Sequence, residues 1–192
     1  ADTITGGEGA DTINPGLGAD SIVLTETAAA ADVIQLAGAN ASNVSTDINN
    51  TVTSFAVAND VIDLTANAAK AHGGAALTGY AEGASLASIA TAKGMQVFGD
   101  PITVAGDFPT EAEVETYFDD SGSAKNAFAV SGADSAIYVA LDDGIDTYVI
   151  ELNSGGNNKL FTEAEDTAVT VLKILGLADA VTLAAGNFSD FS

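Results

Sequence analysis

Ala1-Asp2-Thr3-Ile4-Thr5 runs into Gly6-Gly7-Glu8-Gly9-Ala10-Asp11-Thr12-Ile13-Asn14 and then into Pro15-Gly16-Leu17-Gly18-Ala19-Asp20-Ser21-Ile22-Val23. Set one above another at nine residues, the three pieces share the form G-G-x-G-x-D-x-U-x, where U is a large apolar residue. Asp2, Asp11 and Asp20 recur in step with Ile4, Ile13 and Ile22. A single glycine-aspartate turn carries little information, because such turns join hairpin strands in many β proteins. Three in step make a repeat.

The repeat resembles the calcium-binding nonapeptide of RTX proteins, whose coils form a parallel β-roll. Chemistry accounts for the residue types. Glycine permits positive φ and leaves backbone carbonyls unshielded. Aspartate adds a carboxylate, and calcium takes about six to eight oxygens of these two kinds. The following x-U-x is a short strand whose apolar residue points inward under two-residue alternation. With two repeats to a coil, about eighteen residues, the resemblance implies that Asp2 and Asp20 face one row of ions and Asp11 the opposite row. It assigns the metal site to Asp2, Gly6, Gly7, Gly9, Asp11, Gly16, Gly18 and Asp20, with Ca2+ as cofactor. Pro15 stands where the last repeat should begin with glycine, and its fixed φ constrains that turn. The turn eighteen residues beyond the Asp11 turn reads Ala28-Ala29-Ala30-Ala31, without glycine. At most one or two fully coordinated ions are therefore expected. The chain opens in mid-repeat and reads as a fragment.

Composition narrows the partners. The 192 residues carry a formal charge of -22, from 27 acidic against 5 basic side chains, all of the latter Lys. Phosphate backbones need a basic surface, so nucleic acid is disfavoured, and so is adsorption to anionic membranes. Such a chain suits salty surroundings in which divalent cations relieve its self-repulsion. Asp outnumbers Glu by 18 to 9, and short carboxylates are the usual residues of turns and calcium shells. The absence of Cys removes disulfides and leaves calcium as the natural staple. No signal-peptide pattern opens the chain. No apolar run reaches the roughly eighteen residues of a membrane helix, so no transmembrane segment is expected.

Two regions are expected, 1–64 with the end of the roll and its closing strands, and 65–192 as a C-terminal β-rich region with short helices. The glycine turns stop at Leu24. Asp32-Val33-Ile34-Gln35-Leu36 still alternates like a strand, and Ala37 to Asn49 reads as a surface loop whose N-x-S matches at Asn40 and Asn43 carry no weight. Val52-Thr53-Ser54-Phe55 and Asn59-Asp60-Val61-Ile62-Asp63-Leu64 resemble the strands that close RTX β-rolls. That resemblance implies a terminal calcium helped by Asp60 or Asp63, although Ser54 stands where the family often has Asp.

Further on, Leu86 to Gly94 reads as a short helix, and His72, the only histidine, lacks partners for metal or catalytic work. Strands are expected at Met95 to Phe98 and from Pro101 to Val104. Thr110-Glu111-Ala112-Glu113 is a capping box opening a helix that runs to Phe118 and buries Val114, Tyr117 and Phe118. Ser135 to Leu141 and Ile145 to Leu152 form a hairpin around Asp142-Asp143-Gly144. A second turn follows at Ser154 to Asn158, and strands are expected at Val169 to Leu175 and Ala180 to Leu183.

The fold class expected is mainly β: the end of a right-handed parallel β-roll followed by a capping β region with a few short helices. Residues Asp146 to Phe188 are similar to the C-terminal regions of RTX-type surface-layer proteins. The resemblance implies type I secretion through an uncleaved C-terminal signal, which the Ala-, Leu- and Phe-bearing end from Ala178 to Ser192 suits. The expected function is a calcium-dependent structural, assembly and secretion module at the C-terminus of a bacterial surface-layer protein. Its partners would be other copies in a surface lattice and the type I secretion machinery, and its location secreted, extracellular and at the cell surface. The alternatives are the C-terminal module of a secreted RTX enzyme, toxin or large adhesin, and a calcium-free structural β domain. No enzyme is expected. The acid pairs Asp119/Asp120, Asp142/Asp143 and Glu163/Glu165 are ordinary in so acidic a chain, and G-x-S-x-G, P-loop and EF-hand spacings are all missing.

Overall fold

The computed structural model describes residues 1–36, 48–64, 80–82, 95–119, 135–154 and 167–189. Six short strands come first: β1 (Thr3–Thr5), β2 (Thr12–Ile13), β3 (Ser21–Val23), β4 (Val33–Gln35), β5 (Asn50–Thr53) and β6 (Val61–Asp63). Successive strands fall in opposite sheets, β1-β3-β5 in one and β2-β4-β6 in the other, and every neighbouring pair is parallel. This is the strand arrangement of a β-roll, two short strands and two turns to a coil. Register stacks the apolar residue of each repeat on the next. Ile4 lies beside Ile22 and Ile22 beside Val52 in one sheet; Ile13, Ile34 and Ile62 line up in the other. Ile22, Ile34, Val52 and Ile62 are fully buried, so the period-two pattern delivers one side chain per strand to the interior.

The coiling continues past Leu24, where the glycine turns end. The D-x-U unit persists without them, as Asp32-Val33-Ile34 and Asp60-Val61-Ile62. The core-facing residue and the carboxylate before it are thus enough to keep register, while the turns lengthen.

Six further strands complete both sheets: β7 (Tyr80–Glu82), β8 (Met95–Val97), β9 (Ser135–Asp142), β10 (Thr147–Ser154), β11 (Thr167–Ile174) and β12 (Phe188–Ser189). The larger sheet has the order β1-β3-β5-β11-β10-β9-β8-β7 and the smaller β12-β6-β4-β2. β11 pairs in parallel with β5, setting Ile174 beside Val52, and β12 pairs in parallel with β6, setting Phe188 beside Ile62. The two C-terminal strands thus extend both apolar stacks of the roll. β9 and β10 form the expected antiparallel hairpin, its second strand starting at Thr147 because Ile145 is exposed in the turn.

Alternation along β9 and β10 fills both faces of the larger sheet. Tyr138, Ala140 and Val149 join the core that includes the roll interior, while Val139, Leu141, Tyr148 and Ile150 pack with Phe98, Ile102, Val114, Tyr117 and Phe118. The last three belong to α1 (Glu111–Asp119). Its capping box is formed as expected: Glu113 N–H donates to Thr110 Oγ1 at 3.3 Å, and Thr110 N–H donates to Glu113 Oε2 at 2.7 Å. Phe98, Tyr117 and Phe118 meet edge to face, with ring centroids 5.1 to 6.0 Å apart.

Two expected strands are not formed. Pro101 to Val104 is irregular: Pro101 has no N–H to give a ladder, and Ile102 N–H alone bonds across, to Asp142 O. Ala180–Thr182 is a 3-10 turn, because Asp179 Oδ1 accepts the Val181 N–H and closes a local turn in place of a ladder. β7 was not foreseen in the Ala- and Gly-rich stretch around it. The helix expected at Leu86 to Gly94, His72, the N-x-S matches, the turn beyond Ser154 and the last three residues lie outside the described residues.

Candidate metal centre

Each coil is closed by turns that carry the aspartates. In the first two glycine turns the chain passes through positive φ at Gly7 (101°), Gly9 (100°), Gly16 (89°) and Gly18 (116°), a region that a side chain disfavours. Gly6 serves differently. A Cβ there would lie 3.1 Å from Asp11 Oδ2, so only glycine leaves that carboxylate oxygen its full space.

The aspartates are joined into two ladders, one per sheet. On the side of the larger sheet, Asp2 N–H donates to Asp20 Oδ1, and Asp20 N–H donates to Asn50 Oδ1 at 3.0 Å. On the other side, Asp11 N–H donates to Asp32 Oδ1 at 2.9 Å and Asp32 N–H to Asp60 Oδ1 at 3.1 Å. In each step the backbone oxygen of the earlier residue accepts from the residue after its partner, as in Ser21 N–H to Asp2 O and Val33 N–H to Asp11 O, both 2.8 Å. Asp2 and Asp20 thus lie on the side of the larger sheet and Asp11 on that of the smaller.

Two oxygens are left over. Asp11 Oδ2 and Asp20 Oδ2 are buried and have no hydrogen-bond partner. An ionised oxygen in that condition is costly unless a cation or donor meets it. Asp20 is 3% exposed, and the Ala1 amino group lies 3.6 Å from its other oxygen, the one that accepts the Asp2 N–H. Among the described residues no group of three or more His, Cys, Asp or Glu side chains converges; Asp11 and Asp20 each close a turn whose glycines leave backbone carbonyls unshielded. Those donors, hard oxygens of carboxylate and carbonyl type, fit calcium.

Residues 1–22 match the family model of the RTX calcium-binding nonapeptide repeat (4 copies). The N-terminal segment is an RTX repeat. RTX nonapeptide repeats bind calcium, and the proteins that carry them are type I secreted and typically extracellular. No curated protein and no solved structure matches the chain. Among the described residues no helix is long and apolar enough to cross a membrane.

Beyond the RTX segment, carboxylates replace glycines in the turns. Glu26 accepts the N–H of Gly9 at 2.8 Å and of Ala30 at 2.7 Å, and Glu8 accepts from the N–H and hydroxyl of Thr27. The alanine-rich turn is thereby stitched to the RTX turn before it. Glu26, Asp32 and Asp60 line one cavity of about 220 Å³ together with Thr25 and Ser54. Ser54 adopts a positive φ of 64°, where the glycines of the RTX turns have 89° to 116°. Burial pushes the Asp60 carboxyl above the ordinary range and the charges of Asp32 and Glu26 add to this, against the N–H groups of Ala56 and Asp32 that favour its ionised form.

Asp63 has a different setting. It lies on β6, where its carboxylate accepts from Ser189 Oγ at 2.8 Å and Gln35 Nε2 at 3.3 Å, so it ties three strands together. Asp32, in contrast, is a ladder member that the glycine pattern does not reveal. Its signal was the Asp-x-Ile unit shared with Asp2, Asp11, Asp20 and Asp60.

The hairpin turn Asp142-Asp143-Gly144 holds a second acidic group, and its carboxylates are engaged internally. Asp142 accepts from Gly144 and Ala180, Asp143 from Ile145, Asp146 and the Tyr148 hydroxyl, and Asp146 from Gly176. Lys173 Nζ lies 3.1 Å from Asp146 and donates to Asp107 O. This is a structural knot.

Proposed function

We propose that this chain is a calcium-dependent folding and assembly module, the C-terminal part of a secreted bacterial surface-layer protein, with no catalytic role of its own. The observation that carries the reading is the pair of buried, unpartnered oxygens, Asp11 Oδ2 and Asp20 Oδ2, in the turns that match the RTX repeat. Each would meet a calcium ion whose remaining ligands are carbonyls of the glycine turns. Extracellular modules of this kind fill at about 0.1 to 1 mM calcium, so the site would stay empty inside the cell and load after export. Because the ligands are scattered until the coils stack, binding free energy adds to folding free energy. A charge of -22 keeps copies apart without divalent cations and lets calcium bring them together, which is what a lattice assembled outside the cell requires. Export by type I secretion fits the RTX segment and the acidic, Arg-free composition.

A calcium titration followed by circular dichroism and light scattering together tests this. We expect β signal and particle size to rise over the same sub-millimolar to millimolar range. A rise in β signal at constant size would move the reading to the tail of a secreted enzyme, toxin or adhesin. A flat response in both would remove calcium as the organiser.

A further inference from the structure

The last residue of each aspartate ladder is tied across the chain by an asparagine: the larger-sheet ladder ends on Asn50 itself, and the smaller-sheet ladder ends on Asp60, whose carbonyl is held by Asn187. Asn50 accepts the Asp20 N–H with its amide oxygen and donates through Nδ2 to Val171 O on β11, 121 residues away. Asn187 donates through Nδ2 to Asp60 O at 2.9 Å and to Val57 O at 2.7 Å, across 127 and 130 residues. The choice of residue follows from donor chemistry. A carboxylate accepts only, whereas an amide both accepts and donates. Asn50 can therefore end a series of acceptors and bond onward to a carbonyl without adding charge, and Asn187 can hold the Asp60 carbonyl, which a carboxylate could not. Asn187 is 4% exposed, and its amide oxygen takes the Ala184 N–H at 2.9 Å, so its orientation is fixed from both sides.

We infer that Asn50 and Asn187, by tying the ladder ends to the C-terminal strands, couple cation loading at Asp20 and Asp11 to the docking of β11 and β12 on the roll. The inference rests on the calcium reading above and extends it to residues outside the repeat. The path is continuous in the smaller sheet. Asp11 N–H donates to the Asp32 carboxylate, Asp32 N–H to the Asp60 carboxylate, and Asn187 Nδ2 to the Asp60 carbonyl, beside the stacked Ile13, Ile34, Ile62 and Phe188. A cation that holds Asp11 in place fixes the register of β2 on β4. That register favours β6 on β4, and β6 presents the Asp60 carbonyl and the edge on which β12 pairs. Coupling of this kind is reciprocal: docking of the C-terminal strand must raise calcium affinity by the factor by which calcium favours docking.

Hydrogen exchange on the whole 192-residue chain over a series of free calcium concentrations tests it, with calcium binding measured separately by calorimetry. In the wild type, protection of β2, β4, β6 and β12 should rise together, at one calcium midpoint. In Asn187→Ala the RTX strands should still respond, while the midpoint for β12 moves about tenfold higher, the scale of one or two lost buried hydrogen bonds. The inference is overturned if calcium binds and protects β2 and β4 while wild-type β12 is indifferent to it, or if Asn187→Ala leaves the strands moving together. Absence of calorimetric binding would overturn the calcium reading itself and the coupling with it.

Discussion

Asp20 accepts the backbone N–H of Asp2 with one carboxylate oxygen while its second oxygen lies buried without a partner. The first contact needs only an acceptor, as Asn50 shows one coil later. The second needs a positive charge. Asp20→Asn separates the two: in EDTA the variant should be as stable as the wild type or more so, since a buried charge is gone. In calcium it should lose most of the stabilisation that the wild type gains, about 2.7 kcal/mol at a hundred times Kd. Thermal melts with and without calcium would show the opposite signs.

Gly6→Ala probes the space around Asp11. The added methyl would sit 3.1 Å from Asp11 Oδ2, closer than that carboxylate can tolerate in its present position. Calcium affinity should fall by about tenfold, whereas stability in EDTA should change by about 1 kcal/mol or less, because Gly6 does not need positive φ. Titration calorimetry with a parallel denaturant melt distinguishes these. Equal loss in both would show that Gly6 is a folding residue only.

The apolar stacks set the stability of the roll independently of metal. Ile62→Ala removes a fully buried side chain between Ile34 and Phe188 and should cost about 2–5 kcal/mol with or without calcium. Leu17, 71% exposed in an RTX turn, should tolerate Ser within about 0.5 kcal/mol. Urea midpoints would settle both.

Helix α1 depends on its first residue pair. Thr110→Ala should cost about 1 kcal/mol and should also let Glu113 titrate nearer its ordinary value. The Thr110 N–H, the Ala105 N–H and the Thr110 hydroxyl now hold that carboxyl low. An NMR titration of the Glu113 carboxyl in the two proteins gives the comparison.

Asp143 makes the hairpin turn sensitive to acid. Burial alone would raise its carboxyl, but the Asp146 N–H, the Tyr148 hydroxyl, the Ile145 N–H and the Lys173 charge outweigh burial and leave it lowered. A carboxyl depressed in the folded state contributes stability above its unfolded pKa, about 4, and loses it as pH falls through the folded value. Asp143→Asn should therefore lower stability at pH 7 by about 1 kcal/mol or less, given its partial exposure. As pH falls through the folded value the difference should shrink, and it should vanish once both states of the wild type are protonated. Denaturant melts from pH 7 to pH 2.5 give the profile.

The sequence by itself determined the unit of this protein. Glycines at turn positions, a carboxylate after each turn and one apolar residue two places on define a strand-turn unit, and a period of nine puts alternate units on opposite sides. The helix at Thr110 and the hairpin about Asp143 were equally local, each written in contiguous capping or turn residues. Local pattern did not tell where coiling ends, because Asp32 and Asp60 keep the stacking rule after the glycines that advertise it have gone. Nor could it place Ala180–Thr182, where a side-chain turn at Asp179 competes with a strand.

What only the tertiary structure decided is the joining of the two ends of the chain. Val171 against Asn50 and Asn187 against Asp60 are contacts across more than a hundred residues, and no periodicity encodes them. The exposed edges of β5 and β6 each needed one more parallel strand, and those strands come from the C-terminus because its Ile174 and Phe188 complete the apolar stacks. Likewise, the repeat named Asp11 and Asp20 as ligands, but only packing shows that one oxygen of each is buried without a partner. Burial is a property of the neighbours brought around a residue, and those neighbours are set by the assembled coils.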